Sequence, residues 1–204
     1  GLMSFTGAPG MPSVRIAPSV VDLTTGMWSA MGLMAALARR AAGGGAEHVR
    51  TCLIDSAMTL MNHQLIATLA TGQAPEKLGS GAPSATPYRV YAASDGELMI
   101  ATASDPQFQR LCTALGLDAL AADPGLATMD QRLARRTDID AAIEQVIAGQ
   151  TLAHWTRVLG AAGISTGTVN TVPAALDLAV VQERHLLVAA GDDGQAGPGD
   201  ALPH

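Results

Sequence analysis

The run from Met27 to Ala38 carries no charged side chain, and it limits what this chain can fold into more than any other feature. Met27, Met31, Met34 and Leu37 recur at helical spacing within it. Asp22, Thr24 and Thr25 precede the run as first-turn residues, Arg39 and Arg40 close it, and Gly43-Gly44-Gly45 follows. That pattern predicts a helix from about Val21 to Ala42, stopped by the glycines. The run falls short of the roughly 20 apolar residues needed to cross a bilayer, so a buried helix is expected and no membrane partner. Burying it requires a globular core. Hydrophobic residues at 48% against charged residues at 15% make one possible, and aromatics at only 3% leave Ala, Leu, Val and Met to fill it.

The segments on either side set the organisation. Residues 1 to 18 hold Gly7, Pro9, Gly10 and Pro12 without a sustained period and read as an irregular connector. His48 to Ile54, with Val49, Thr51 and Ile54 β-branched, predicts a strand ended by Asp55. Ser56 to Thr71 returns to helical period through Met58, Met61, Leu65 and Leu69. A strand between two helices is the arrangement of a parallel α/β unit. The span from Gly72 to Pro87 is rich in Gly and Pro and reads as a loop. Tyr88 to Ala92 and Leu98 to Thr102 then flank Ser94-Asp95-Gly96-Glu97, a hairpin signal. Helical patterns follow over 105–115, 130–148 and 152–162, then a possible strand at 164–169 and a short helix at 172–178. The last residues, 191–204, hold several Gly, Pro and Asp and are expected to form a disordered tail.

Eighteen acidic against twelve basic side chains give a net charge of -6 with no basic stripe, which argues against a nucleic-acid partner. Cys52 and Cys112 lie in apolar-periodic segments without a metal-spaced partner, so two reduced thiols, no metal and a cytoplasmic location are expected. The opening Gly1-Leu-Met-Ser has no cationic stretch of the kind a secretory signal carries.

Several stretches together resemble the class III CoA-transferases of the formyl-CoA transferase (CaiB/BaiF) type, and the related α-methylacyl-CoA racemases. They are Asp22-Leu-Thr-Thr-Gly-Met-Trp-Ser-Ala-Met-Gly-Leu preceded by Gly1-Leu-Met-Ser-Phe-Thr-Gly, then Ala46-Glu-His-Val-Arg-Thr-Cys-Leu-Ile-Asp55, Pro83-Ser-Ala-Thr-Pro-Tyr88 with Asp95-Gly96, and Ala161-Ala-Gly-Ile-Ser-Thr-Gly-Thr-Val-Asn170. The resemblance extends to about Val188 and implies the C-terminal portion of such a protein. It implies an α/β fold: a partial Rossmann-like remnant of the large, CoA-binding domain over 1–54, a linker helix over 55–77, and a small α+β domain with an antiparallel hairpin over 78–172. A return linker would occupy 173–190. Members are interlocked homodimers with the active site at the subunit interface.

The same resemblance implies CoA transfer from an acyl-CoA to a carboxylic acid acceptor, with coenzyme A arriving as substrate and Asp22 as the nucleophile that becomes an aspartyl-CoA thioester. An Asp at a helix start is by itself most simply a cap. A nucleophilic carboxylate must also stay ionised while poorly hydrated, which a helix N-terminus in an apolar pocket provides. Gly26, with Ala30 and Gly32, reads as a close-approach position for a backbone or the pantetheine arm. Gly79-Ser80-Gly81 stands where the family carries a glycine loop over the reacting acyl group, with backbone N–H groups open to an oxyanion. Relatives commonly carry Asn and His where this chain has Ser80 and Ala82, which bears on acceptor specificity. His63 and His154 read as ordinary helix residues. Asp105-Pro-Gln-Phe108 resembles an acidic motif of the racemases, beside the simpler reading as an Asp-Pro helix start. Racemisation of 2-methylacyl-CoA is therefore the alternative activity, and an inactive fragment serving as a dimerisation or interaction module is the third reading.

Overall fold

In the computed structural model, which describes residues 1–187, the main apolar core runs from Tyr91 to Ile164. The N-terminal part is helical: α1 (Leu2–Phe5), α2 (Val20–Ala41), α3 (Leu53–Leu60) and α4 (Asn62–Thr71). The hairpin strands β1 (Tyr88–Ala93) and β2 (Gly96–Ala101) follow. Then come α5 (Asp105–Leu115), α6 (Asp118–Ala121), a 3-10 turn at Pro124–Leu126, α7 (Met129–Ala134), α8 (Arg136–Ile147) and α9 (Leu152–Ala161). The described chain ends with β3 (Ser165–Thr168), α10 (Val172–Leu176) and α11 (Ala179–Glu183). The expected tail over 191–204 lies outside the described residues.

The three strands form one antiparallel sheet in the order β1-β2-β3. Tyr91 pairs with Leu98 across the hairpin, and Leu98 and Ile100 point to one face, as period-2 alternation requires. That face is covered by α5, α8 and α9. Phe108, Leu111, Cys112 and Leu115 follow helical spacing on α5, Ile139, Ile143 and Ile147 do so on α8, and Trp155 and Leu159 on α9; all are buried. The polar tips of the buried Trp and Tyr have partners. Trp155 Nε1 donates to the Ile147 carbonyl at 2.8 Å, and the Tyr91 hydroxyl donates to Asp140 Oδ1 at 2.7 Å. The Ser94-Asp95 turn also docks a helix, because Asp95 Oδ1 accepts from the Leu152 N–H at 2.7 Å.

Four expectations are corrected. His48 to Ile54 is not a strand: the backbone is extended at Cys52, yet among the described residues no strand lies beside it to complete a ladder, and helix begins at Leu53. The parallel α/β unit therefore does not form within the described residues, and Asp55 sits in the first turn of α3 rather than at a strand end. The helix over 130–148 is broken at Arg135, and the one over 56–71 at Met61.

The fourth correction concerns α2. It has no buried residue, and Leu23, Met27, Leu33, Met34 and Leu37 are all more than half exposed. With 22 residues it also meets, by length and composition, the requirement for a membrane span that the shorter Met27–Ala38 run missed; the core helices of water-soluble folds pass the same test. Hydroxyls hold it to the rest of the chain: Thr25 Oγ1 donates to the buried Ser56 Oγ at 2.7 Å, and Ser29 and Thr51 share a hydrogen bond of 2.7 Å.

Candidate active site

Asp22 lies in the first turn of α2, where the N–H groups of the helix start and the macrodipole favour a negative charge. Its neighbourhood is not the dry pocket anticipated. Asp22 is exposed, and it lines neither of the two cavities that flank the glycine loop. Gly26, one turn on, has open space where a side chain would start, so no described residue uses it for close approach. Gly32 does have that role, since a Cβ there would stand 2.7 Å from Val49 Cγ1.

The Gly79-Ser80-Gly81 loop is more closely tied than a free lid. The Gly79 N–H donates to the Gly7 carbonyl and the Gly81 N–H to the Leu78 carbonyl, both at 2.9 Å. Ser80 Oγ accepts from the Val90 N–H of β1 at 3.0 Å. Two of the three amides expected to face an oxyanion are thus already engaged, and the glycines are used to fold the loop back on its flanks. Gly79 has φ of +61°, the left-handed region that favours glycine. Arg136, the first residue of α8, donates through Nη2 to the Ala82 carbonyl at 2.7 Å, and its Nη1 is 3.3 Å from where a Cβ on Gly81 would stand.

This loop forms a wall shared by two cavities. One, of about 540 Å³, runs between the loop and α4 past Thr68, Thr71 and Pro83. The other, of about 600 Å³, lies toward α8 and contains Arg89, Arg136, Asp140 and Glu144. Both volumes are within the range of small-molecule sites. His63 borders the first cavity from α4, and His154 packs edge-on to Trp155 at 4.8 Å, away from the loop.

Asp105 is taken up by structure. Its Oδ1 accepts from Arg132 Nη2 at 2.6 Å, and Arg132 is fully buried, 4.7 Å above the Phe108 ring, donating also to the Leu126 and Ala127 carbonyls. Sequence reasoning missed both Arg132 and Arg136. The available signal was two arginines among apolar-periodic residues, but the break at Arg135 sends them to different surroundings.

The CoA-transferase family III model matches residues 1–202. The chain belongs to that family. Among curated relatives, it is 31% identical to the acetyl-CoA:oxalate CoA-transferase of Acetobacter aceti, over 94% of this chain and 49% of the relative. It is 32% identical to the succinate-glutarate CoA-transferase of Agrobacterium fabrum, over 100% of this chain and 51% of the relative. Among solved structures, a CaiB/BaiF family protein from Brucella suis superposes with a TM-score of 0.74 at 30% identity, over 90% of this chain and 49% of that one. A Mycobacterium tuberculosis protein in an orthorhombic crystal form gives a TM-score of 0.80 at 24% identity, over 94% and 49%, and supports the fold alone. The chain spans about half the length of the relatives it matches and corresponds to the C-terminal portion of the family fold.

Proposed function

We propose that this family III chain carries the nucleophile of an acyl-CoA:carboxylate CoA-transferase, with Asp22 as that nucleophile. The observation that carries the reading is the position of Asp22 in the first turn of α2, within a chain that matches the family along almost its whole length. An Asp22 oxygen attacks the thioester carbonyl of the donor; the carbon–sulfur bond breaks and CoA leaves as thiolate, giving a mixed anhydride. The thiolate then attacks the aspartyl carbonyl and releases the donor acid, leaving an aspartyl-CoA thioester. The acceptor carboxylate attacks that thioester in turn, and the returning thiolate collects the acceptor acyl group and frees Asp22. No proton is gained or lost over the cycle, which suits a site without a dedicated acid or base.

A carboxylate as exposed as Asp22 is well hydrated and a feeble nucleophile, so the reaction needs cover from outside this chain. The apolar side chains on α2 beyond it, from Leu23 to Leu37, are the surface on which such cover would rest. An interlocked homodimer, with a Rossmann-like domain completing the CoA site and the protein in the cytoplasm, is the arrangement proposed here. Relatives named for oxalate, succinate, glutarate and mesaconate support short dicarboxylic acids as the substrate class. Their names also favour transfer over racemisation, as does the commitment of Asp105 to Arg132.

The test is chemical trapping. With the polypeptide completed to the length of its relatives, acyl-CoA and hydroxylamine should leave a hydroxamate on Asp22, and Asp22→Asn should lower turnover by at least about 1,000-fold. An unmodified Asp22 under turnover would remove the transferase reading. Exchange of the substrate α-hydrogen with deuterated solvent, without acyl transfer, would select the racemase instead. Failure of the completed protein to bind CoA would leave the inactive interaction module.

A further inference from the structure

We propose that Arg136 is a specificity-determining residue that binds the distal carboxylate of a dicarboxylic substrate in the cavity between the glycine loop and α8. The proposal deepens the transferase reading and rests on it for the substrate's other end.

Its basis is the charge inventory of that cavity. Two guanidinium groups and two carboxylates line it, and of the four only Arg89 and Asp140 form an ion pair with each other. Asp140 Oδ1 accepts from the Tyr91 hydroxyl at 2.7 Å and its Oδ2 is 3.6 Å from Arg89 Nη1. Arg89 in addition donates through Nε to the Val90 carbonyl at 3.2 Å and lies 5.3 Å from the Tyr91 ring centroid. Glu144 Oε1 accepts from the Ala92 N–H at 3.0 Å. Arg136 differs from these. Its hydrogen-bond partners are the neutral carbonyls of Ala82 and Pro83, both reached through Nη2, and among the described residues it forms no ion pair.

A half-buried guanidinium with an edge free and no ion-pair partner among the described residues, facing a cavity of about 600 Å³, suits a planar carboxylate, which two parallel N–H groups bind bidentately. Gly81 makes this possible. Any side chain there would meet Arg136 Nη1 at 3.3 Å and the Leu78 carbonyl at 3.0 Å, so the glycine leaves the guanidinium lying against bare loop backbone. The cavity on the other side of the loop has no Arg or Lys in its lining, only Glu76 and His63 as titratable groups. A diacid whose reacting end is under the loop therefore has one side on which its second carboxylate can meet a guanidinium that is in no ion pair among the described residues, with the Glu144 carboxylate held to the Ala92 N–H in the same lining.

The experiment has two arms. The first uses this chain as it is. The Arg136 Nε–H resonance, assigned by its disappearance in Arg136→Gln, is followed on addition of succinate, with succinamide as the uncharged control. A saturable shift with succinate alone is expected; no shift up to about 50 mM, a concentration well above the millimolar affinity of a single charge-assisted pair, overturns the proposal. The second arm uses the polypeptide completed to its relatives' length and compares succinyl-CoA with butyryl-CoA, in which a methyl group replaces the carboxylate. Arg136→Gln should lower the succinyl-to-butyryl ratio of kcat/KM by about 10- to 100-fold, with butyryl transfer changed by less than about 3-fold. Equal losses for both donors overturn the proposal and leave Arg136 as a support for the loop. If the completed protein transfers no acyl group at all, the transferase reading fails, and the succinate titration still decides the carboxylate site.

Discussion

Replacing Asp105 by Ala should destabilise the core domain by about 3 kcal/mol, a large share of the roughly 5–15 kcal/mol that holds a domain folded. Arg132 has no exposed surface, and among the described residues Asp105 is its one carboxylate partner, at 2.6 Å. Removing that partner leaves a positive charge in the interior, where breaking a buried pair costs about 3–5 kcal/mol. The lower end applies because the Asp105 side chain is 53% exposed, so water can reach the vacated side. Arg132→Met removes the charge itself and keeps the stem over Phe108. It leaves the Leu126 and Ala127 carbonyls without a donor, at about 1–2 kcal/mol. Once Arg132 is Met, losing Asp105 should cost under about 0.5 kcal/mol, the residual helix-dipole contribution of a first-turn acid. The two substitutions should therefore couple by about 2.5 kcal/mol. Urea unfolding followed by Trp155 fluorescence in a Trp28→Phe background measures this, because Trp155 is buried in the same core. Additive effects, or a cost below about 1 kcal/mol for Asp105→Ala alone, would refute the assignment of this aspartate to structure.

Gly81→Ala should push the Arg136 guanidinium away from the loop and cost about 1 kcal/mol, seen as a moved Arg136 Nε–H resonance and a lower urea midpoint. The two thiols should differ sharply toward an aromatic disulfide reagent at pH 8: exposed Cys52 reacts at once, while Cys112 waits for unfolding. Burial pushes the Cys112 thiol up from 9.0 to about 11, so its share of stability is complete below the unfolded value and is lost as pH rises through that window; Cys112→Ala should flatten the alkaline limb of the stability profile. Met34→Glu and Leu37→Glu on α2 should shift sedimentation of this chain toward the monomer without changing Trp155 fluorescence, and an unchanged distribution would show that this face drives no association.

The legible part of the fold was the part that is locally consistent. The hairpin around Asp95-Gly96 and the helices over 105–115 and 152–162 stand where their periodicity and turn residues place them, because each buries its apolar side against the others within the described chain. The segments that went astray lack such partners. Val49, Thr51 and Ile54 have the composition of a strand, but a strand exists only where a neighbour supplies its ladder. The breaks at Met61 and Arg135 carry no glycine or proline, so nothing local announces them. At the site, the first-turn position of Asp22 was readable from Asp22-Leu-Thr-Thr ahead of the apolar run. Its exposure was not, since hydration depends on what stands opposite. The tied state of the glycine loop was equally hidden, because it depends on Gly7 and Val90, remote residues that the pattern of glycines does not encode.

The exposure of Asp22 and that of α2 have one physical origin. Helix α2 is fixed on a single seam, through Thr25 to Ser56 and Ser29 to Thr51, and its Leu, Met and Trp side chains are left outward. An apolar face of this kind gains stability in water when something covers it. Asp22 is at the open end of that helix, a turn or two from Met27. Whatever surface removes Met27, Met31 and Met34 from water must also pass close to the carboxylate and lower its hydration. On the proposed reading, Asp22 would gain nucleophilic strength only where such a surface covers it.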